Sequence, residues 1–412
     1  MTRVLHLQTH LPSSGNAAFR LHRALNQHGV HSTMLTLTSE IEWDKNVESL
    51  GLKNQIVSAI NGKFYLQQSK KTVPEFGLFS YPILGNNISK HPLVEQADII
   101  YFHWTLAGFL SIKNMKQLAK LGKPIIVFMH DVWYITGGCH YNFTCDNYQT
   151  NCGDCQVFSE GNQNSLSVKG FQKKNKFYSE FENLNFVAPS SWLTNMAKKS
   201  GLTKNKPVYH IPNVIDHSVF KPIDKNQARK ILNLNADETI ISFGAASPNS
   251  PYKGWSYLKD ALGVLATQMD PSKTSILLFG SDYDQNVVDA VPFKVNFLGY
   301  MKDDRATALV YNAADVFVAP SMADNLPTTV MESLCCGTPV TGFDIGGIPD
   351  MIHHKKNGYL AEYKNSEDLA EGILYCLNNE VKGYAPNQFD TEPIINRHIE
   401  FHTELLSKKP TD

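Results

Sequence analysis

The chain has 412 residues, more than one ordinary hydrophobic core supports, so two domains of roughly 200 residues each are expected. Hydrophobic residues make up 42% and charged residues 19%, which excludes a disordered or fibrous chain. The net charge of −1 gives no global pull toward nucleic acid, but residues 1–205 carry 20 Lys and Arg against 13 Asp and Glu, and a basic first half suggests an anionic ligand or membrane surface on that side.

In chain order, Arg3–Gln8 reads as a strand, Ser13-Ser14-Gly15-Asn16 as a turn, Ala17–His28 as a helix ended by Gly29, and Val30–Leu37 as a second strand. The opening MTRVLHLQTHLP alternates apolar and polar residues and runs into Pro12, unlike a signal peptide. No run of about 18 apolar residues follows, so no membrane span is expected, and the chain is placed in the cytosol. Residues 40–95 are polar and irregular, fit for long loops and a helix or two. Asp98–His103 and Pro124–His130 are short apolar runs bounded by breakers, the pattern of buried parallel strands. Phe186–Pro189 is another strand and Trp192–Lys199 a helix.

A second alternating series follows. Its strands are Thr239–Phe243, Ser275–Phe279, Val295–Leu298, Asp315–Ala319 and Pro339–Phe343. Helices are expected over Ser256–Met269, Arg305–Ala313 and Thr329–Cys335, and a final one over Glu392–Ser407. Strands alternating with helices imply right-handed crossovers and a parallel, doubly wound sheet. The expectation is an α/β protein with two Rossmann-like domains facing a cleft. The first spans 1–205, with a Cys-rich insertion at 137–156. The second spans 206–390, and 391–412 is a C-terminal helix packing back on the first. Ligands of such sheets bind outside the carboxyl ends of the strands, so residues just after strands carry the chemistry.

Pro320–Gly347 is the richest segment: PSMADNLPTTVMESLCCGTPVTGFDIGG. A strand ends at Ala319, a loop holds Asp324, Asn325 and Leu326, and a helix opens at Thr328-Thr329 with Glu332 one turn in. Free amides at a helix start suit a diphosphate, and a carboxylate on the same face suits the vicinal diol of a ribose. The other reading is a capped helix packed on its sheet.

Asp324-x7-Glu332, followed by Cys336-Gly337-Thr338-Pro339-Val340 and Gly346-Gly347-Ile348-Pro349, resembles the donor-site signature of family 4 retaining glycosyltransferases, which have the GT-B fold. The family's usual first residue of that step is Glu; here it is Asp324. Phe297-Leu298-Gly299-Tyr300-Met301, Asn357-Gly358 and Ile211-Pro212-Asn213-Val214-Ile215-Asp216 are similar to the family's base-contacting loop, late turn and interdomain signature. The resemblance implies donor contacts at Met301, Asn325, Leu326, Thr328, Thr329 and Glu332, with Asp324 at the sugar. Gly15 stands in the family's phosphate loop, where Asn16 departs from its Gly-Gly. Lys253-Gly254 matches the family's diphosphate-neutralising lysine, whereas its arginine has no counterpart in the loop 245–252.

The same resemblance assigns His130, in His130-Asp131-Val132-Trp133, to the active-site histidine; His103-Trp104 looks like an acceptor-side pair, with a satisfied structural histidine as the other reading of His103. Asp131 either orients His130 or caps the next turn. Cys139, Cys145, Cys152 and Cys155 fall within 17 residues and end in C-x-x-C, a spacing that suggests a structural zinc site, with His140 as an alternate ligand. Four free thiols are the other reading. A Gly-Gly-Cys run here is similar to the bacterial surface-polysaccharide, colanic-acid-type subset of the family.

The reading is a retaining glycosyltransferase moving a sugar from a nucleotide diphosphate sugar to a glycan or lipid-linked acceptor. It needs no metal for catalysis, binds no nucleic acid, and works in the cytoplasm, with peripheral contact to the inner face of the membrane. Two alternatives stand: a non-catalytic sugar-nucleotide-binding subunit, and a GT-B sugar-nucleotide epimerase.

Overall fold

A computed structural model describes residues 1–12, 17–69, 77–158, 164–245, 250–281, 291–301 and 303–408. The expected turn at Ser13–Asn16, including Gly15, and residues 246–249 of the Lys253 loop lie outside them. The chain divides into two units, Met1–Val214 with Thr391–Asp412, and Ile215–Asp390.

The first unit holds a seven-stranded sheet of β1 (Arg3–Leu11), β2 (His31–Ser39), β3 (Val47–Ser49), β4 (Ile99–Phe102), β5 (Ile125–Phe128), β6 (Leu184–Ala188) and β7 (Val208–His210). Their order is β3-β2-β1-β4-β5-β6-β7, and every pairing is parallel. The order reverses between β1 and β4, so ligands are expected beyond Leu11 and Phe102. IIYF of β4 and IIVF of β5 are buried throughout, as strands covered on both faces must be. One face of this sheet packs against the helix Ala17–Gln27 and the last helix, Thr391–Ser407, through Leu21, Leu25, Ile395 and Phe401.

The second unit holds β8 (Thr239–Gly244), β9 (Thr274–Phe279), β10 (Lys294–Phe297), β11 (Val316–Ala319), β12 (Val340–Phe343) and β13 (Gly358–Ala361). The six strands are ordered β10-β9-β8-β11-β12-β13, again all parallel, with the switch between β8 and β11. Two doubly wound parallel sheets are the Rossmann-like pair that the alternating pattern implies.

Three strands depart from the sequence reading. β3 lies in the polar 40–95 stretch and is a half-exposed edge strand with no apolar run to announce it. The same stretch holds a helix, Leu52–Ser69. β13 is only four residues long. β7 is three residues, none of them buried, inside what reads as a linker. Because β7 pairs with β6, the first unit runs to Val214 rather than to 205. Among the described residues no helix is long and apolar enough to cross a membrane.

Candidate functional site

In the second unit the site is built at the ends of β8 and β11. After β8, a short turn Pro251–Lys253 ends at Gly254, whose φ is +74°. A Cβ there would stand 1.8 Å from the carbonyl oxygen of Pro320, so only glycine allows this loop to lie against the loop that follows β11. The amide of Met322 donates to the carbonyl of Tyr252 at 2.8 Å and ties the two loops. This brings Lys253 Nζ to 2.7 Å from Asp324 Oδ2. Gly346 repeats the device from the far side. Its φ is +61°, and a Cβ would stand 1.9 Å from the carbonyl oxygen of Asp324. The Asp324 carbonyl also accepts from the amide of Gly347 at 3.3 Å. The glycines of the quoted motif thus hold the loop that carries Asp324. Burial pulls the Lys253 ammonium down, but the charge and hydrogen bond of Asp324 outweigh it and leave its pKa above that of an ordinary lysine.

The helix Thr328–Cys335 starts just beyond. Its cap is Pro327, which makes no side-chain cap bond, and its first turn holds no acidic residue. The helix therefore presents backbone amides and the positive end of its dipole at the loop. Thr328 and Thr329 are half-buried in that first turn. Glu332 is buried, and Tyr311 donates its hydroxyl to Glu332 Oε2 at 3.0 Å. Tyr311 gives no sign of this role in the sequence; it looks like one more aromatic of a core helix. Met301 is half-buried and packs on the same hydrophobic cluster. Asn325 is buried. Leu326, expected among the donor contacts, instead points its side chain into the core with Val330 and Met331, because a loop this short needs its own apolar anchor. Its side chain is not free for a ligand.

In the first unit β1, β4 and β5 aim a row of imidazoles along one sheet face. His6 lies beside Tyr101 in the parallel register, and residues two apart share a face, so His103 and then His130 follow. His6 Nδ1 is 2.8 Å from His103 Nε2, and His103 Nδ1 is 2.9 Å from His130 Nε2. Tyr101 adds contacts to His398 Nδ1 at 3.0 Å and His402 Nε2 at 2.6 Å, both from the last helix. Burial lowers His6 and His103 well below the usual 6.5 and brings His130 and His402 to about 4. His103 is therefore not an acceptor contact, as its pairing with Trp104 implied. It is fully buried, and both ring nitrogens are taken by other histidines. Trp104 remains half-buried, its amide donating to Gln8 Oε1 at 3.1 Å.

Asp131 caps the next turn, accepting from the Trp133 amide at 2.8 Å, and pairs with His140 at 2.5 Å. Burial raises its pKa, but the His140 charge and hydrogen bonds more than reverse this, so it stays below an ordinary aspartate. His140 is buried, and its other nitrogen meets Ser80 Oγ at 2.9 Å, which removes it from any thiol set. Lys174 is buried beneath the same turn. It donates to the carbonyls of Trp133 and Thr136, and its Nζ lies 3.4 Å from the Trp133 ring centre. Desolvation brings its pKa to about 7.

Cys139, Cys145, Cys152 and Cys155 line one small pocket with Phe79 and Val157. Burial pushes the Cys139 and Cys152 thiols up to about 12, so both are protonated. Cys152 Sγ accepts from the Gly137 amide at 3.1 Å. Among the described residues no three Cys, His, Asp or Glu side chains converge closely enough to hold a metal ion. The four thiols gather at one pocket without the close convergence that a tetrahedral zinc requires of its ligands.

Residues 237–379, within the second unit, match the family described as Glycosyl transferases group 1. The chain is 29% identical over 181 residues to D-inositol 3-phosphate glycosyltransferase of Mycobacteroides abscessus, which is 42% of this chain and 39% of that protein. The match thus spans about two fifths of that relative's length. Two solved structures resemble almost the whole chain. Sucrose-phosphate synthase from Thermosynechococcus elongatus has a TM-score of 0.69 at 17% identity and covers 99% of this chain and 100% of its own. Anabaena HepE, solved with UDP and glucose, has a TM-score of 0.62 at 17% identity, with 98% and 100% covered. The fold is that of the GT-B glycosyltransferases.

Proposed function

We propose that the chain is a retaining glycosyltransferase that moves a sugar from a nucleoside diphosphate sugar to a glycan or lipid-linked acceptor in surface polysaccharide assembly. The observation that carries the reading is the Lys253–Asp324 pair set beside an uncapped helix start, with buried Glu332 in the following turn. A partly exposed lysine held by a carboxylate is a cation ready to exchange partners. When a diphosphate arrives, Lys253 turns to it and the amides of Thr328 and Thr329 add their dipole. Asp324 is then released to accept from a sugar hydroxyl. Glu332 accepts from the ribose diol, and Asn325 approaches the donor through the backbone. Structures of this fold hold UDP, as Anabaena HepE does, or ADP, so both are donors to test.

The bond from the anomeric carbon to phosphate breaks, and the acceptor oxygen joins that carbon on the same face. The acceptor's proton passes to the departing phosphate, and the positive groups stabilise the charge that forms there. His130 supplies a neutral hydrogen bond to the sugar in transfer. The first unit takes the acceptor, with Trp104 as a stacking face, and its excess of Lys and Arg suits an anionic membrane surface at the cytoplasmic side.

The test is incubation of the purified chain with UDP-, GDP- and ADP-sugars and candidate acceptors, with the product's anomeric configuration read by NMR. One donor should be consumed with retention. Inversion, or exchange of a ring proton with solvent and no transfer, overturns the reading.

A further inference from the structure

The imidazole row of the first unit does more than fill space. Its three rings are joined by two hydrogen bonds, His6 Nδ1 to His103 Nε2 and His103 Nδ1 to His130 Nε2. The rings stack nearly parallel, with centroids 5.2 Å and 5.1 Å apart. Burial keeps all three neutral near pH 7. A neutral imidazole carries one N–H and one bare nitrogen. Two such bonds through one central ring then allow only two assignments, because His103 must donate on one side and accept on the other.

In the first assignment His6 donates to His103, His103 donates to His130, and His130 carries its hydrogen on Nδ1. In the second all three hydrogens move to Nε2. The buried end of the row decides between them. His6 Nε2 has no hydrogen-bond partner among the described residues. The first assignment leaves a bare nitrogen there; the second strands a buried N–H, the costlier defect. The backbone holds the central ring in place, since the Tyr134 hydroxyl donates to the His103 carbonyl at 2.8 Å. The stack is closed on its other faces by Tyr101 and Phe128.

We propose that His103, backed by His6, is a positioning residue that locks His130 in its Nδ1–H form, so that His130 meets the reacting sugar as a fixed hydrogen-bond donor and not as a base. Because the row ends at His6 with no onward bond among the described residues, it orients the proton on His130 and does not conduct one. The proposal rests on the reading of His130 as a group acting in transfer, but the lock itself is a property of the folded chain without substrate.

The experiment is a nitrogen-15 spectrum of the histidine-labelled full chain, with resonances assigned by single substitutions, joined to kinetics of two variants. His130 and His103 are expected as Nδ1–H tautomers; an Nε2–H signal at His130 overturns the lock. His103→Phe keeps a ring but loses the donor. It should shift His130 toward Nε2–H and lower kcat by roughly 10- to 100-fold, the scale of losing a partner that fixes an imidazole tautomer, while the donor dissociation constant holds. His103→Gln retains an N–H donor and should recover part of the rate; it also serves if the Phe variant does not fold. His103→Phe with His130→Ala should be no slower than His130→Ala alone, since both act through one group. Native turnover in both His103 variants overturns the positioning role even if the tautomer is as expected. If the native chain transfers no sugar at all, the functional reading fails while the spectrum still decides the lock.

Discussion

The two units solve the same problem, holding a reactive group at the end of a parallel strand, with opposite materials. In the second unit the groups are charged and sit on loops. Lys253 and Asp324 neutralise each other at 2.7 Å, and two glycines with positive φ pin the loops that carry them. In the first unit the groups are neutral imidazoles bonded to one another, His6 buried on β1 and buried His103 and half-buried His130 just past the ends of β4 and β5. A charged pair that is to exchange partners must stay near water. A group that aims a single hydrogen bond gains from burial, which fixes its geometry and removes its charge. All three histidines of the second unit, His217, His353 and His354, are exposed, so the contrast is one of design in each unit and not of composition.

Acid should break that contrast most strongly. His22, His130 and His402 are held at about 4, and His6, His103 and His398 well below 6.5, all chiefly by burial. Their folded pKa values lie below the unfolded one, so the stability they contribute is full above about pH 6.5. It drains as the pH falls toward 4, because the unfolded chain binds the protons first. Each such group contributes a slope of up to about 1.4 kcal/mol per pH unit, so several together consume a typical net stability of about 5–15 kcal/mol. Hydrogen exchange across pH 7 to 4 should show the first unit opening before the second. Simultaneous loss in both, or none by pH 4.5, contradicts the account.

Next in size is His130→Ala. An interaction made mainly in the transition state affects turnover more than binding. Turnover should fall roughly 10²-fold or more, the usual cost of one preorganised donor, while the donor dissociation constant changes far less. Retained turnover with a collapse in thermal stability would make His130 a core residue. A smaller effect sharpens the second unit. Glu332→Ala should weaken donor binding at least roughly tenfold, since bonds to a carboxylate are worth about 1.5–3 kcal/mol each before compensation. Tyr311→Phe, which removes the hydrogen bond to Glu332 Oε2, should cost a few-fold. Neither change should alter binding of a 2′,3′-dideoxy nucleotide, which lacks the diol; equal losses with both nucleotides would remove Glu332 from the ribose.

The sequence made the two sheets legible because their central strands are apolar runs bounded by breakers, as in IIYF and IIVF. It hid β3 and β7 because edge strands of three residues bury little and carry no pattern. Asp324, Lys253 and Glu332 stood out in the sequence, since glycine and charge at fixed spacing leave a mark, and the structure brings Lys253 and Asp324 together. Tyr311 and Leu326 were not, because a buried hydroxyl donor and a core leucine look alike in a helix or loop until packing is known. His103 was noticed for its place after a strand but given the wrong neighbour. Its partners, His6 and His130, lie 97 and 27 residues away, and only the sheet order brings them together. The thiol spacing suggested a metal, whereas the structure sets those sulfurs in an apolar pocket beside Phe79 and Val157.

The central claim is that the second unit binds a nucleoside diphosphate through the cation that Asp324 holds. Calorimetric titration of the native chain and of Lys253→Ala with UDP, GDP and ADP tests it most directly. One of the three should bind the native chain with one site, and the variant should bind it at least roughly tenfold more weakly, the scale of losing a charge-assisted bond to phosphate. Binding of equal strength to both proteins, or no binding of any of the three at millimolar concentration, would contradict it.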